Sequence, residues 1–571
     1  MFRDLYAAEV DYLYRLCERL GAEHPRTAPM LGRGADVGVS RLVQSVAFAA
    51  ARLRQRIDDD APEWIQPLVD SLCPELLRPF PSATVLELIP DPAMKEPEVV
   101  SAGSHFASRP VDGRTCLFGS AADVEVRPWK LTSVRLVSER SELRLGLSIL
   151  EGAKMPALTG PLRLFLAMPL AAALELRSIL LHGVVDAIAR PLGPGKTEAV
   201  MLHATTSPPF RPCVPVSLPA ARAVRDPRLD LLSYFAWPES FAFVELGDLA
   251  LLGTPGAVEI VVRLREPLPQ RLELDTTSIR LHCVPAFNVY PAATLNLSLA
   301  GTRCDVEMGD PEAEVYAIER VALVRSDLTT QPVEPFARFF PPPPLTDGRM
   351  PLLYRVERSP SVLDAAQILW LTFVSLDPRT KLEKVASIDV DVLATDGPRA
   401  ARVGVGDVCV PTPKSPSLVS FHNLTPVTRS APAALAGDGL WRWLRLLRAT
   451  FPQLTNAHYL ADALALVNVA AAASWPEAKP DATSFRPLRA VRSERAMRAG
   501  RREASLGARV SVDVDPAAFA GSGDVELFGE RLAALLATSI RPHEWVVLRL
   551  CDLEGVLVRE YPSLQGSRHE L

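Results

Sequence analysis

At 571 residues and 62.2 kDa the chain exceeds one ordinary hydrophobic core and is expected to divide into several domains. Hydrophobic residues at 48% and charged residues at 23% match folded soluble protein and exclude extensive disorder. The formal net charge of -5 excludes a globally basic surface of the kind that draws nucleic acid or anionic membrane.

The first 82 residues carry amphipathic helical patterns. Phe2, Tyr6, Val10, Leu13, Leu16 or Cys17, and Leu20 fall at steps of three and four, as expected when one helix face is buried. Leu42, Val43, Val46, Ala50, Leu53 and Ile57 repeat that period before Asp58, Asp59, Asp60 and Pro62. Trp64, Ile65, Leu68 and Leu72 form a third, shorter segment. The turn Pro74-Glu75-Leu76-Leu77-Arg78-Pro79-Phe80-Pro81-Ser82 then ends a module without evident chemistry, one suited to attachment or packing.

After Ser82 the period shortens. Thr84 to Ile89, Val124 to Arg127, Ser133 to Val137 and Leu143 to Ile149 alternate or nearly alternate, as strands with one covered face do. Leu170 to Ala189 reads as a helix that Leu181-His182-Gly183 interrupts, and Pro208-Pro209 marks a connection. A helix near Asp230 leads to the aromatic cluster Tyr234, Phe235, Trp237, Phe241 and Phe243. Ala257 to Leu264 and Arg271 to Leu274 look extended. Pro341 to Pro344 predict a stiff connector, or less readily a ligand for an SH3-like partner. Beyond it, Val362 to Ser375 starts helix-like and turns extended, and Val385 to Leu393 and Ala401 to Val410 add strands. Leu440 to Phe451, Ala457 to Ala473 and Val525 to Ser539 read as helices, flanking or followed by strands at Val510 to Val514 and Trp545 to Leu550.

The fold class is therefore α+β and multidomain, with a helical N-terminal module followed by β-rich mixed domains. The expected division is 1–82, 83–210, 211–340 and 341–571, the last holding the proline connector and a C-terminal α+β domain.

Candidate chemistry fails on inspection. Gly193-Pro194-Gly195-Lys196-Thr197 lacks the first glycine of a phosphate loop, Arg190 standing in its place, and Pro194 removes an amide from the cradle. His282 and Cys283 are adjacent, and neighbours in a strand point to opposite faces, so a structural strand with a buried cysteine is the simpler reading. Asp58, Asp59 and Asp60 diverge at a helix end. The 8 cysteines, at 17, 73, 116, 213, 283, 304, 409 and 551, show no close pairing or metal spacing and read as reduced, mostly buried small hydrophobes of a cytosolic protein. No secretory signal is expected, and Leu162 to Leu176, broken by Arg163 and Pro169, is too short and polar to span a membrane. Arg486, Arg489, Arg492, Arg495, Arg498 and Arg501 recur every three residues. On a helix each step drifts by about sixty degrees, so the series would wrap rather than line one face. A solvated segment is the first reading of it, a protein-docking surface the second and nucleic acid a distant third. No residue takes a catalytic, cofactor or metal role.

Tyr6 with Glu9 and Tyr12-Leu13, then His24-Pro25, Ala35-Asp36, Arg41-Leu42, Ala47-Phe48, Ala51-Arg52, Asp58-Asp59, Pro74 and Arg78-Pro79-Phe80-Pro81-Ser82 together resemble the opening of the type VI secretion baseplate family TssF, also called VasA or ImpG. Tyr234-Phe235-Ala236-Trp237-Pro238 with Phe241-Ala242-Phe243 is similar to the family's aromatic segment. Leu281 to Tyr290 resembles its Cys-x-Pro-x-x-Asn segment, in which Cys283 and Phe287 would pack inside while Pro285 and Asn288 end a strand and hold a turn. Trp441 and Gly521-Ser522-Gly523-Asp524 before Leu527-Phe528-Gly529 are weaker matches. Ala394-Thr395-Asp396-Gly397-Pro398-Arg399 departs from the Cys-Thr-Asn-Arg-like segment of the family. The resemblance implies a nonenzymatic wedge subunit without cofactors, in which two copies join one TssG-like chain and connect to TssK-like trimers, the lysozyme-like TssE and the VgrG spike hub. Membrane association would be indirect and the location cytoplasmic. Phe2, Tyr6, Leu13, Leu42, Phe48, Arg52 and Arg78 are its candidate interface or assembly-core residues. A baseplate subunit of another contractile injection system, and a cytosolic enzyme with a nonlocal active site, are the alternatives.

Overall fold

The computed structural model describes residues 6, 10, 12–14, 16, 17, 20, 37–58, 62–153, 161–192, 200–202, 208–214, 216–221, 225–247, 257–298, 302–336, 351–360, 367–375, 385–435, 438–472, 487–499 and 504–568. Its architecture is mixed α+β, with helices at the N-terminus and β-rich sheets after them. The described residues between 6 and 20 are helical, followed by α1 (Val37–Asp58) and α2 (Pro62–Leu72). α1 buries Val43, Ala47 and Ala51, a row at steps of four, and leaves Leu42 and Val46 exposed. The apolar period therefore found the helix but set its buried face one position off.

The rest of the described chain forms sheets that join nearby hairpins with distant strands, as where Ala83–Pro90 pairs with both Cys283–Phe287 and Val419–Asn423. A six-stranded antiparallel sheet runs Val410–Pro411, His105–Ala107, Leu117–Ser120, Cys283–Phe287, Ala83–Pro90 and Val419–Asn423 in spatial order. Beside it lies a four-stranded sheet of Phe210–Pro212, Phe243–Leu246, Leu162–Leu166 and Ile279–Leu281. A five-stranded sheet joins Val200–Met201, Val184–Leu192, Ala257–Leu264, Glu142–Ile149 and Trp129–Val137. The largest sheet is built on the long pair Glu314–Arg325 and Val385–Thr395 and includes Tyr290–Pro291 at its end. The C-terminal sheet orders Leu488–Ala499, Ala504–Val514, Trp545–Cys551 and Leu557–Glu560, with Leu564–Gln565 also on Trp545–Cys551.

Helices fill the spaces between these sheets. They are α3 (Leu170–His182), α4 (Pro227–Ala236), α5 (Gly439–Leu447), α6 (Ala457–Ala472) and α7 (Ser522–Ala537). α2 packs on α5, α4 on α6 and α7, and α3 on α7. Asp226 caps α4 by accepting the Arg228 N–H at 2.9 Å, and Pro227 supplies a preset first turn. One continuous apolar core runs from Ile65 through these helices to Tyr561, and separate cores fill the six-stranded sheet and the largest sheet.

Several local expectations change. The helix begun at Leu170 stops at His182, where the Gly183 N–H closes on Ile179 O at 2.7 Å, and Val184–Leu192 is a strand in which Val184, Val185 and Ile188 fit the pleat. Arg271 to Leu274 is a turn and irregular chain, and Ala401 to Val410 is mostly a 3-10 turn and loop. Arg489, Arg492, Arg495 and Arg498 of the arginine series lie on the strand Leu488–Ala499, so the helical geometry weighed for the series does not apply to them, and Arg486 and Arg501 lie outside the described residues. Pro285 sits inside a strand opposite Val85 rather than ending one. All cysteines described are free, and Cys73, Cys116, Cys283, Cys304 and Cys551 are buried. Among the described residues no helix is long and apolar enough to cross a membrane.

Candidate functional site: a polar junction where three sheets meet

One short segment passes through three sheets in succession. Ile279–Leu281 belongs to the four-stranded sheet, Cys283–Phe287 to the six-stranded sheet and Tyr290–Pro291 to the largest. The two residues that redirect it are His282 and Asn288. His282 takes φ of 52°, a left-handed conformation rare outside glycine but tolerated by histidine. Its buried Nε2 accepts the Arg127 N–H at 3.2 Å. Burial, with the Arg127 charge second, pushes its pKa down to about 3, so it stays neutral.

Asn288 is fully buried and makes four side-chain hydrogen bonds. Its Nδ2 donates to Leu117 O at 2.8 Å and to Asp396 Oδ2 at 2.7 Å, and its Oδ1 accepts from Thr395 Oγ1 and from the Asp396 N–H, both at 2.8 Å. Asp396 is shared further: its Oδ1 accepts from the Tyr290 hydroxyl at 3.0 Å and its Oδ2 from the Leu117 N–H at 3.2 Å. Burial, and then the Asp396 charge, push the Tyr290 hydroxyl above its ordinary range. Arg399, also buried, reaches Asp310 at 2.7 Å, Glu312 at 3.4 Å and Asp396 at 3.7 Å. The hydrogen bond from Arg399 holds the Asp310 carboxyl well below the carboxylate range, and Arg114 reaches Asp310 as well. Gly397, with φ of 53°, allows the chain to turn between Asp396 and Arg399 where a side chain would be strained.

Around this polar centre stand aromatic side chains from distant stretches. Phe287 lies 6.1 Å from Phe80 and 5.5 Å from Trp237, ring centre to ring centre, in edge-to-face geometry. The Asn288 N–H donates to Ser82 O at 2.8 Å, and Phe80 and Ala431 exchange backbone bonds at 2.7 and 2.9 Å. Arg78 donates to Ala220 O at 2.9 Å and lies 5.7 Å above the Tyr316 ring, so it is held within the junction. Tyr234, next along the aromatic stretch, donates to Asp524 Oδ1 at 2.7 Å and lies 6.0 Å from Phe528, tying in the Gly521 to Gly529 stretch.

The other candidate residues lie in the helical module. Tyr6 and Leu13 are half-buried, Leu42, Phe48 and Arg52 are exposed, and the rings of Tyr6 and Phe48 are 6.5 Å apart. Phe2, Gly193 to Thr197, Asp59 and Asp60 lie outside the described residues. Of this candidate set the structure thus brings Tyr6 to Phe48 and sets Arg78 apart from them. Sequence reasoning weighed His282 only beside Cys283 and met Thr395 and Asp396 only as a departure from the family pattern, and it gave none of the three a role at a junction. The only local hint was a polar pair, Thr395-Asp396, closing an apolar strand.

One cluster has metal-ligand types. His182, Glu526 and Glu530 place ligand atoms within 4.8 Å of one another between α3 and α7. Arginines already occupy that charge: Arg177 meets Glu530 at 2.9 Å, Arg531 meets it at 3.1 Å and Arg559 meets Glu526 at 3.0 Å. Burial acts to raise the Glu526 carboxyl, but hydrogen bonds from His182 and Ser178, with Arg559 nearby, hold it below its ordinary value. The cluster is a helix-to-helix ion-pair network, and a divalent cation there would face three guanidinium groups. The geometry of the junction holds polypeptide against polypeptide.

The segments that meet at this junction are those with family character, and a profile of the family described as Type VI secretion system, TssF, matches residues 1–568. The chain belongs to the TssF family. The family's description places its members in the type VI secretion system. This TssF-family chain is similar to the type VI secretion system component TssF1 of Pseudomonas aeruginosa, with 26% identity over 399 residues, 64% of this chain and 64% of that relative. Its fold is similar to a chain in the cryo-electron microscopy structure of a type VI secretion TssK-TssF-TssG baseplate subcomplex, at 24% identity and a TM-score of 0.75 over 93% of this chain and 99% of that one. A chain in a structure of the type VI baseplate complex aligns over 100% of both chains at 21% identity and a TM-score of 0.64.

Proposed function

We propose that the chain is a nonenzymatic wedge subunit that assembles through its helical N-terminal module, residues 1–82, with a TssG-like subunit and a second copy of itself. The three-sheet junction serves as the stiff frame behind that module, with residues 83–210, 211–340 and 341–571 as the body. One observation carries this reading. The module leaves Tyr12 60%, Leu16 49%, Leu20 47%, Leu42 65%, Val46 46% and Phe48 49% exposed, an amount of apolar surface that a helical module keeps for a partner. Tyr6, Leu13, Leu42, Phe48 and Arg52 are its contact residues, with Phe2 expected beside them and Arg78 as the internal anchor. TssK-like trimers, the lysozyme-like TssE and the VgrG hub belong to the larger assembly, in the cytoplasm and peripheral to the inner membrane. The baseplate origin of the two solved chains of this fold supports the reading.

Coexpression with a TssG-like subunit and native mass spectrometry test it. The expected product is a heteromeric complex, and Leu42→Glu combined with Phe48→Glu abolishes it while leaving the chain's own melting temperature nearly unchanged, since both positions are exposed. A monomer that captures no partner, or a double variant that still assembles fully, overturns the reading.

A further inference from the structure

We propose that the edge strand Leu488–Ala499 is a second docking element, which takes an extended segment of a partner protein, alternating acidic and aliphatic residues, by strand addition. This goes beyond the wedge reading and does not depend on it. The strand is 12 residues long and lies at one end of the C-terminal sheet, and among the described residues its only strand neighbour is Ala504–Val514. An edge of that length presents unpaired backbone groups to an incoming strand.

The side chains state what would bind. Arg489, Arg492, Arg495 and Arg498 are all exposed on this strand, against the single acid Glu494, in a chain that is acidic as a whole. They are not equally occupied. Arg492 is held by Asp513 at 2.7 and 2.6 Å, and Arg495 reaches Glu544 at 3.5 Å. Arg498 meets no carboxylate within ion-pair distance among the described residues. It donates to Ser563 Oγ at 3.0 Å and lies 4.5 Å above the Trp545 ring, which positions its guanidinium without neutralising it. Next to it, Met497 and Leu506 stand opposite each other in register, 72% and 42% exposed. Adjacent strand residues point to opposite faces, so Arg498 offers charge on one face and the Met497–Leu506 pair offers an apolar contact on the other. At the Met497–Arg498 end of the strand, an added segment of alternating acidic and aliphatic residues matches both faces at once. Charged residues on an edge also deter pairing. Here an exposed apolar pair and a ring-backed arginine occupy the same end of the strand, and these supply contacts that deterrence does not need.

The test uses the full chain and a fluorescein-labelled nine-residue peptide of alternating glutamate and valine, followed by fluorescence anisotropy. Saturable binding is expected, with loss of at least tenfold in affinity in Arg498→Glu and in Met497→Ser, and retention in Arg498→Lys. A lysine–valine peptide and a glutamate–valine peptide N-methylated at alternate amides are expected not to bind. Absence of binding to the glutamate–valine peptide overturns the proposal. Equal binding of the N-methylated peptide also overturns it, because the contact would then be charge attraction without strand pairing. Should Arg498→Glu lose its native circular dichroism, Met497→Ser decides alone, and an unchanged affinity in that folded variant overturns the proposal.

Discussion

Replacing Asn288 with alanine removes four hydrogen bonds from the point where the chain passes between two sheets. The Asp396 N–H then loses its side-chain acceptor, and Leu117 O loses its donor from this side chain. Two such buried groups left without partners cost about 1–2 kcal/mol each, and the lost bond to the Asp396 carboxylate adds about 1.5 kcal/mol. A water entering the space would return part of this, so the net loss is about 3 kcal/mol. In a chain with several cores a single melting temperature does not isolate that loss, and hydrogen–deuterium exchange read peptide by peptide does. Amides of Ala83–Pro90, Cys283–Phe287 and Val385–Thr395 are expected to exchange on the order of one hundredfold faster, since each 1.4 kcal/mol is tenfold. Those of Ala504–Val514 and Trp545–Cys551 are expected to keep their protection. Unchanged exchange in Cys283–Phe287 would refute the hub role of Asn288. An equal rise in the C-terminal sheet would show that the junction opens only with the whole molecule.

His282 predicts acid sensitivity. Its pKa falls from 6.5 to about 3 on folding, so the unfolded chain binds the proton more tightly. The stability linked to it is complete above pH 6.5 and is lost, at about 1.4 kcal/mol per pH unit, between 6.5 and about 3. His282→Asn keeps a residue tolerant of left-handed backbone and removes the titration, so its denaturant midpoint should vary less with pH over that interval than the native chain's. Parallel curves would count against the assignment. Gly523 predicts a steric effect: a Cβ there would fall on the backbone of Leu174 and Glu175, so Gly523→Ala forces α7 away from α3 at a cost of about 1–3 kcal/mol. Limited proteolysis should then cut near α3 sooner than in the native chain, and an unchanged cleavage pattern would contradict the close packing.

Local periodicity made much of the element content readable. Ala257–Leu264 appears at the predicted bounds because Val258, Ile260, Val261 and Val262 concentrate β-branched residues there. Gly183 marks the limit of such reading: the interruption at Leu181-His182-Gly183 was legible and the backbone bond to Ile179 closes the helix there, but nothing local showed that the chain goes on as a strand rather than a helix. The arginine series had a regular spacing and no local sign of its state, which for Arg492, Arg495 and Arg498 is set by pairing with Ala504–Val514. Sheet membership was not readable at all for Ala83–Pro90, whose neighbours are Cys283–Phe287 and Val419–Asn423, since alternation states that a strand has a covered face and not which strand lies beside it. Asn288 was legible as a turn residue. Its partners Thr395 and Asp396 were not, because a hydrogen bond across more than a hundred positions leaves no mark on either stretch.

The junction also explains why stretches so far apart carry the family's character together. An enzyme site keeps a few polar groups around a space for substrate, whereas here the polar groups of Asn288, Thr395, Asp396 and Tyr290 are spent on one another. Their geometry fixes the directions in which Ile279–Leu281, Cys283–Phe287 and Tyr290–Pro291 leave the site, and so the mutual orientation of three sheets. The turn from Arg78 to Ser82 is bonded into the same centre through Phe80 and Ser82. That turn is the chain's exit from the helical module. On the proposed reading, a partner bound to the module would therefore act on a buried, hydrogen-bonded centre of the body through this turn rather than through a free linker.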